Sequence, residues 1–213
     1  MGNKKDNTYS LLTISGLEEI EEKFEMVQIL DRHGEMKETD LETGLSDEDL
    51  LEIMRRMIFA RKFAEQTNSY SQQGRMGFYA SSLGQEAAMI ASHYAFDKED
   101  WLYGSYRDIP QLMMHGASVS DVYHWSLGHV EGSTFPADKD IKATLPQIII
   151  GAQMVQAQGN ALGQKLKGSD NVTFAYIGDG GTSQGDTYEA LNFAGVFQSP
   201  LVYFFQNNGY AIS

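Results

Sequence analysis

The sequence predicts an α/β fold in which a mostly parallel sheet is flanked by helices. Two apolar segments rich in β-formers, 172–177 and 201–205, have the length of strands, and the first has the character of a strand buried on both faces. A segment of helical character, about 184–197, separates them, so the three together predict a strand, helix and strand unit with parallel strands. In open sheets of this kind, ligands bind beyond the carboxyl ends of the strands.

Upstream of this unit the sequence is mainly helical. Ser46 is a hydroxyl N-cap followed by acidic residues, and the apolar spacing after it predicts a long helix that extends to about Gln72 and is ended by Gly74. The elements expected next are, in order, a helix at about 84–94, a strand at 101–106, helical pieces at 109–116 and 120–128, a loop at 129–145, and a helix that opens near Leu145. The small residues of that last helix favour close packing on other helices or at a subunit interface.

Residues 1–45 are predicted to form an acidic N-terminal arm, followed by a domain over 46–213. The net charge is −13, and most of the acidic excess lies in the first 50 residues. Such a block is typical of a solvated face, with contact to a basic partner as the alternative. Within the arm, 27–30 suggests a short strand and 31–34 a turn. Nucleic-acid binding is not expected, because it requires clustered Lys and Arg.

Composition excludes several classes of protein. The chain of 213 residues has no cysteine, so it forms no disulfide, thiolate metal site or catalytic cysteine. The N-terminal residues lack the apolar segment of a secretory signal, and no apolar stretch approaches the roughly 20 residues of a membrane span. We therefore expect a protein without a membrane partner, and the missing cysteines fit a cytoplasmic location.

Polar residues follow both strands of the predicted unit. Asp179 lies just after the first strand, between glycines, and Asn207 and Asn208 lie just after the second. Neighbouring parallel strands would bring Asp179 and Asn208 together at one edge, where their hard oxygen atoms suit Mg²⁺. The glycines give backbone N–H groups access to phosphate oxygens, and the following helix adds its positive end. The sequence thus predicts a site for Mg²⁺ and a diphosphate.

The spacing of these residues resembles the signature of thiamine-diphosphate enzymes. Gly-Asp-Gly at 178–180 is separated from Asn-Asn at 207–208 by 26 residues, 181–206. The surrounding sequence is similar to the alpha subunits of 2-oxo acid dehydrogenase complexes, above all to the pyruvate dehydrogenase branch of Gram-positive-type bacteria. The matching segments are 84–87, 106–108, 146–153, 178–186 and 188–195. The resemblance implies the thiamine-diphosphate-binding fold, with thiamine diphosphate and Mg²⁺ as cofactors.

The resemblance also implies roles for individual residues. Asp179, the side chain of Asn208 and the main-chain oxygen of Tyr210 would bind Mg²⁺. The expected cofactor-binding residues are Tyr106, Arg107, Ile148, Ile150, Asp179, Gly180, Gly181, Asn208 and Tyr210. In that set, Gly180 and Gly181 would contact the diphosphate through their backbone, Tyr106 and Arg107 would reach it with their side chains, and Ile148 and Ile150 would border the aminopyrimidine. His129 is the predicted catalytic residue, because it lies where the family keeps an active-site histidine, although the residue alone fits an ordinary loop histidine somewhat better.

The function implied is oxidative decarboxylation of pyruvate, with transfer of the acetyl group to a lipoyl group. The expected partners are a beta subunit in an α2β2 heterotetramer, which supplies the glutamate that activates the cofactor, a lipoyl-bearing acyltransferase and the small 2-oxo acid. Branched-chain 2-oxo acid and acetoin dehydrogenase alpha subunits share the signature and remain alternatives. Family members continue well beyond Ser213, so we expect a C-terminally truncated domain with an incomplete sheet that has no turnover alone, and an interaction protein without activity is a further alternative.

Overall fold

A computed structural model describes residues 27–37 and 43–211 of the chain. They fall into two units, with the boundary between Leu45 and Ser46. In the first unit, Leu30 and Met36 form one isolated antiparallel bridge across a turn, which is shorter than the strand predicted at 27–30. Residues 1–26 and 38–42 of the predicted acidic arm lie outside the described residues.

The described part of the second unit contains six α-helices and three strands. Local sequence explains two of the helix starts, because Ser46 and Ser118 each form a capping box with an aspartate three residues later. The elements are α1 Asp47–Gln72, α2 Glu86–Tyr94, β1 Trp101–Tyr103, α3 Ile109–Met114, α4 Val119–Ser126, α5 Ala152–Lys167, β2 Thr173–Gly178, α6 Gly185–Phe197 and β3 Leu201–Gln206. No helix of the described residues is long and apolar enough to cross a membrane.

Two predicted boundaries are wrong. The strand predicted at 101–106 ends at Tyr103, because the chain then turns over 105–108. The helix predicted to open near Leu145 begins at Ala152. The preceding segment is instead held extended beside β1, where the N–H of Gln147 donates to the carbonyl of Gly104 at 3.1 Å. The segment 129–145, predicted as a loop, contains two short 3₁₀ turns.

The three strands form a parallel sheet in the order β1-β2-β3, so the predicted parallel pairing and α/β class are confirmed. Successive residues of β2 point to opposite faces of the sheet. Tyr176 packs with Leu102 and Phe63 in one apolar cluster, while Ala175 and Ile177 pack in another that includes residues of α5 and α6. Helices thus cover both faces, and the carboxyl ends of all three strands lie at one edge.

Candidate cofactor site at the carboxyl edge of the sheet

The loops after the three strands form the rim of this edge. In the register of the sheet, Gly178 at the end of β2 pairs with Gln206 at the end of β3. Asp179 and Asn207 are therefore the first residues beyond two adjacent, paired positions. The strand, helix and strand unit places them in this way, because neighbouring parallel strands end on the same side.

Two glycines in the loop after β2 are required by close packing. A Cβ atom on Gly180 would lie 2.9 Å from the Cβ of Ala211, so this loop touches the segment that follows Asn208. A Cβ on Gly181 would lie 2.3 Å from Cδ1 of Ile177. A Cβ on Gly178, in contrast, would meet nothing within 4 Å. Positions 180 and 181 therefore bring bare backbone to the rim, and side chains do not fit there.

The proposed metal ligands lie on the two loops that meet here. Asp179 is half-buried at the start of a 3₁₀ turn, and Asn208 and Tyr210 are exposed. The Oδ1 atom of Asn208 accepts a hydrogen bond from the N–H of Tyr210 at 2.9 Å, which fixes the amide in a tight turn. An amide oxygen has two lone pairs, so one remains for a cation.

The chemistry of this donor set fits Mg²⁺ bound together with a phosphate group. The described residues contain no group of three or more His, Asp or Glu side chains arranged to hold a metal ion. Asp179 and Asn208 would provide one carboxylate and one amide oxygen, and Mg²⁺ commonly combines one or two protein carboxylates with phosphate oxygens and water. The bare backbone at Gly180 and Gly181 provides room for such a phosphate.

Tyr106 and Arg107 lie in the turn after β1 and are both half-buried. The ring of Tyr106 packs edge-on against Phe78, with 5.9 Å between ring centroids. The guanidinium of Arg107 lies 5.7 Å from the centroid of the Tyr106 ring and donates a hydrogen bond to the carbonyl of Ser81. A guanidinium has five N–H donors, so this bond leaves others for an anion.

The segment 147–151 forms another side of the rim. Ile148 is more than half exposed, whereas Ile150 is half-buried, with its Cγ2 3.3 Å from the position of a Cβ on Gly181. Gly151 has φ of +90° and packs against Gln184 at the start of α6. The left-handed conformation favours glycine here. We did not identify Gly151 or Gln184 from sequence, although a glycine between an apolar triplet and a helix indicates such a turn.

Asp108 is a second residue that the sequence did not single out. Its side chain is 1% exposed, and its carboxylate accepts four hydrogen bonds. Burial raises the pKa of the Asp108 carboxyl, against the lowering effect of these bonds. The one sequence signal was its position directly after Tyr106 and Arg107.

His129 begins the 3₁₀ turn after α4, and its ring is about half exposed. Its Nδ1 accepts a hydrogen bond from the N–H of Glu131 at 3.3 Å, and its ring lies 5.2 Å from that of His124. Phe78 connects this region to the rim, because it packs against both Trp125 of α4 and Tyr106. The contacts of His129 are with its own loop and with His124 of α4, and its catalytic role stays a prediction.

Comparison with known proteins shows the family to which the chain is similar. Residues 54–213 match the family described as "Dehydrogenase E1 component". The chain is 47% identical over 197 residues to pyruvate dehydrogenase E1 component subunit alpha of Staphylococcus epidermidis and of Staphylococcus aureus. Each alignment covers 92% of this chain and 53% of the relative, so the chain spans about half the length of the curated relatives it matches.

Proposed function

The chain belongs to the dehydrogenase E1 component family, and from this membership we propose that it forms the cofactor-binding part of an alpha subunit that decarboxylates pyruvate. The acetyl group would pass to a lipoyl group in the same reaction. The observation that carries the proposal is the meeting of the loops after β2 and β3, where Gly180 lies against Ala211 beside Asp179. The name shared by the relatives supports pyruvate over a branched-chain 2-oxo acid or acetoin.

We assign the cofactor site to the rim residues. Asp179, the amide oxygen of Asn208 and the main-chain oxygen of Tyr210 would hold Mg²⁺. Thiamine diphosphate, when bound, supplies a nucleophilic ring carbon and a ring that stores the electron pair left when carbon dioxide departs. The diphosphate would lie against the backbone of Gly180 and Gly181.

The other rim residues would orient and neutralise the cofactor. Arg107 offers a planar fork that matches phosphate oxygens, and Tyr106 supports that fork from one side. The N-terminal end of α6 adds a partial positive charge close to the loop at 178–184. Ile148 and Ile150 would border the aminopyrimidine, and His129 would move a proton near neutral pH.

The partners and setting are part of the proposal. A beta subunit would complete an α2β2 heterotetramer and supply the glutamate that activates the cofactor, and a lipoyl-bearing acyltransferase would accept the acetyl group. The cysteine-free composition supports a cytoplasmic location, where the enzyme would consume the product of glycolysis. Residues 46–213 would form the cofactor-binding domain, and residues 1–45 an acidic arm before it.

A cofactor titration tests the proposed site. The protein that carries this chain, assembled with its beta subunit, is titrated with thiamine diphosphate and Mg²⁺ in a calorimeter. We expect Asp179→Asn to weaken binding on the order of tenfold or more, because it removes the only carboxylate of the proposed ligand set. Asp186→Asn is the matched control, since Asp186 is an exposed acid in the first turn of α6. Equal binding by both variants would contradict the assignment.

The substrate is tested separately from the cofactor. Rates on pyruvate, branched 2-oxo acids and acetoin are compared with the same assembled enzyme and a lipoyl acceptor. We expect the highest kcat/KM for pyruvate. A preference for branched acids or for acetoin would assign the chain to one of those branches, while the cofactor site would stand unchanged.

A further inference from the structure

The buried carboxylate of Asp108 connects two parts of the rim that are not neighbours in the sheet. We propose that Asp108 is a positioning residue, which holds the turn after β1 at a fixed distance from the end of β3. This inference rests on the proposed function, because it concerns the geometry of the cofactor site. It assigns to Asp108 no contact with cofactor or substrate.

One oxygen of the carboxylate closes the turn after β1. Oδ2 of Asp108 accepts hydrogen bonds from the backbone N–H of Ser105 at 2.8 Å and from its hydroxyl at 2.6 Å. The N–H of Asp108 in turn donates to the carbonyl of Ser105 at 3.1 Å. Tyr106 and Arg107 are the two residues inside this closed turn. Their backbone is therefore fixed by three hydrogen bonds between the residues on either side.

The other oxygen reaches past β2. Oδ1 of Asp108 accepts a hydrogen bond from Nε2 of Gln206 at 2.6 Å, across 98 residues of sequence. The pairing of β1 with β2 ends at Tyr103, whereas the pairing of β2 with β3 continues to Gln206. The Asp108 side chain thus bridges the outer strands at the end where β1 has stopped. Gln206 directly precedes Asn207 and Asn208.

The energetics favour a positioning role over a purely stabilising one. A buried carboxylate is costly unless it is hydrogen-bonded, and well-packed apolar groups often stabilise a buried site at least as well. The Asp108 carboxylate accepts four hydrogen bonds from three residues, and the two from Ser105 hold the turn that carries Tyr106 and Arg107. A polar cluster of this kind defines distances and directions that apolar packing leaves looser.

The hydrogen bonds to Oδ1 of Asp108 also offer a matched control variant with which this proposal can be tested. Oδ1 accepts a second bond, at 2.9 Å, from Nε2 of Gln111 in α3. Gln111 and Gln206 are both buried, and each donates to the same oxygen. Only Gln206 is part of the rim. Gln111→Met and Gln206→Met therefore remove the same kind of bond with nearly the same change in volume, and differ in what the bond holds.

The test compares these variants in the protein that carries this chain, assembled with its beta subunit. The measurements are calorimetric binding of thiamine diphosphate with Mg²⁺, the cofactor-free unfolding temperature, and kcat at saturating cofactor. We expect Gln206→Met to weaken cofactor binding about tenfold, the effect of losing a buried bond to a charged group, with kcat largely restored by excess cofactor. Gln111→Met should lower the unfolding temperature by about as much as Gln206→Met does. It should change the Kd for the cofactor by no more than about twofold from that of the unchanged protein.

The outcomes separate the inference from the function on which it rests. If both variants weaken binding equally, or neither does, while the unchanged protein binds the cofactor, Asp108 is structural only and the inference is overturned. If the unchanged protein binds no cofactor, the proposed function fails instead. Should Gln206→Met not fold, Ser105→Ala replaces it, because it removes the hydroxyl bond to Oδ2 and keeps the backbone bond. Weaker cofactor binding by Ser105→Ala supports the inference, and unchanged binding overturns it.

Discussion

Replacing Gly181 by alanine should strain the rim from inside. The added Cβ would lie 2.3 Å from Cδ1 and 2.4 Å from Cγ1 of Ile177, against about 3.5–4.0 Å for an ordinary carbon contact. Ile177 is only 1% exposed, so its side chain has no free space to enter, and Ile150 lies on the other side of the new Cβ at 3.3 Å. The backbone of Gly181 is not left-handed, so the cost is steric. Overpacking of this kind costs about 1–3 kcal/mol.

The measurement is thermal unfolding of the cofactor-free protein, followed by circular dichroism. A loss of about 2 kcal/mol corresponds to a fall in Tm of roughly 4–8 °C for a domain of this size. Gly178→Ala is the control, because a Cβ there meets nothing within 4 Å and its φ of −78° suits alanine. We expect its Tm to be unchanged or slightly raised. Equal Tm values for the two alanine variants would refute the steric argument.

The same contact can be tested by a double-mutant cycle. Ile177→Val removes the Cδ1 atom that the new Cβ would meet first. In the unchanged protein this substitution should cost about 0.5–1.5 kcal/mol, as methyl deletions in a core do. In the Gly181→Ala background it should cost less by at least about 0.5 kcal/mol, because it also removes the closer of the two clashing atoms of Ile177. Additive effects would show that the strain lies elsewhere.

Three further predictions concern other parts of the domain. Burial, with smaller effects of His115 and Arg56, lowers the pKa of His93 from 6.5 to about 3. Between pH 6.5 and 3, His93 is therefore protonated in the unfolded chain but not in the folded chain. The free energy of unfolding should fall as the pH drops through this range, by up to about 1.4 kcal/mol per pH unit. The free energy of unfolding, measured across this pH range, should change less steeply for His93→Phe than for the unchanged protein. Equal slopes for the two proteins would contradict this role of His93. Ser46→Ala should destabilise α1 by about 1 kcal/mol in urea unfolding, since it removes the capping bond to the N–H of Asp49; no change would show that Asp49 alone caps the helix. His129→Ala should lower kcat by about 10²–10⁴-fold without changing cofactor affinity, whereas His124→Ala, which lies similarly close to Glu131, should not; equal kcat values would reduce His129 to a loop residue.

The sheet was predictable because its signals are local. Strand β2 is apolar over 174–177 and buried over most of its length, as a strand covered on both faces is, whereas the mostly apolar β3 leaves Val202 and Phe205 each 40% exposed. The helix between the two strands is long enough to make the crossover. The start of α1 could be placed because a serine N-cap with an aspartate three residues later satisfies the first backbone N–H groups. These preferences act within a few residues of sequence.

The boundaries that failed are set by contacts between distant segments. The apolar residues around 148–150 suit a helix start as well as an extended segment. Pairing of Gln147 with Ser105 keeps that segment extended, and Gly151 then turns it into α5. The end of β1 likewise has no signal in the local sequence, because it is determined by the turn that closes over 105–108. Periodicity carries no information about a partner some 40 residues away.

The same distinction applies to the residues of the site. Asp179 and Asn208, which would face a ligand, each carry a side-chain oxygen and each follow a predicted strand. Both features can be seen in the sequence. Asp108 differs, because its carboxylate accepts four hydrogen bonds from protein donors and one of these donors is 98 residues away. Asp108 lies in the matching segment 106–108, but its role could not be predicted from that segment, because the role is defined by which loops the side chain joins. The hydrogen bonds of Asp108 imply that the rim consists of turns from separate parts of the chain. The relative positions of these turns depend on a few buried polar bonds. Substitutions at those bonds should then alter cofactor affinity although they replace no residue that would touch the cofactor.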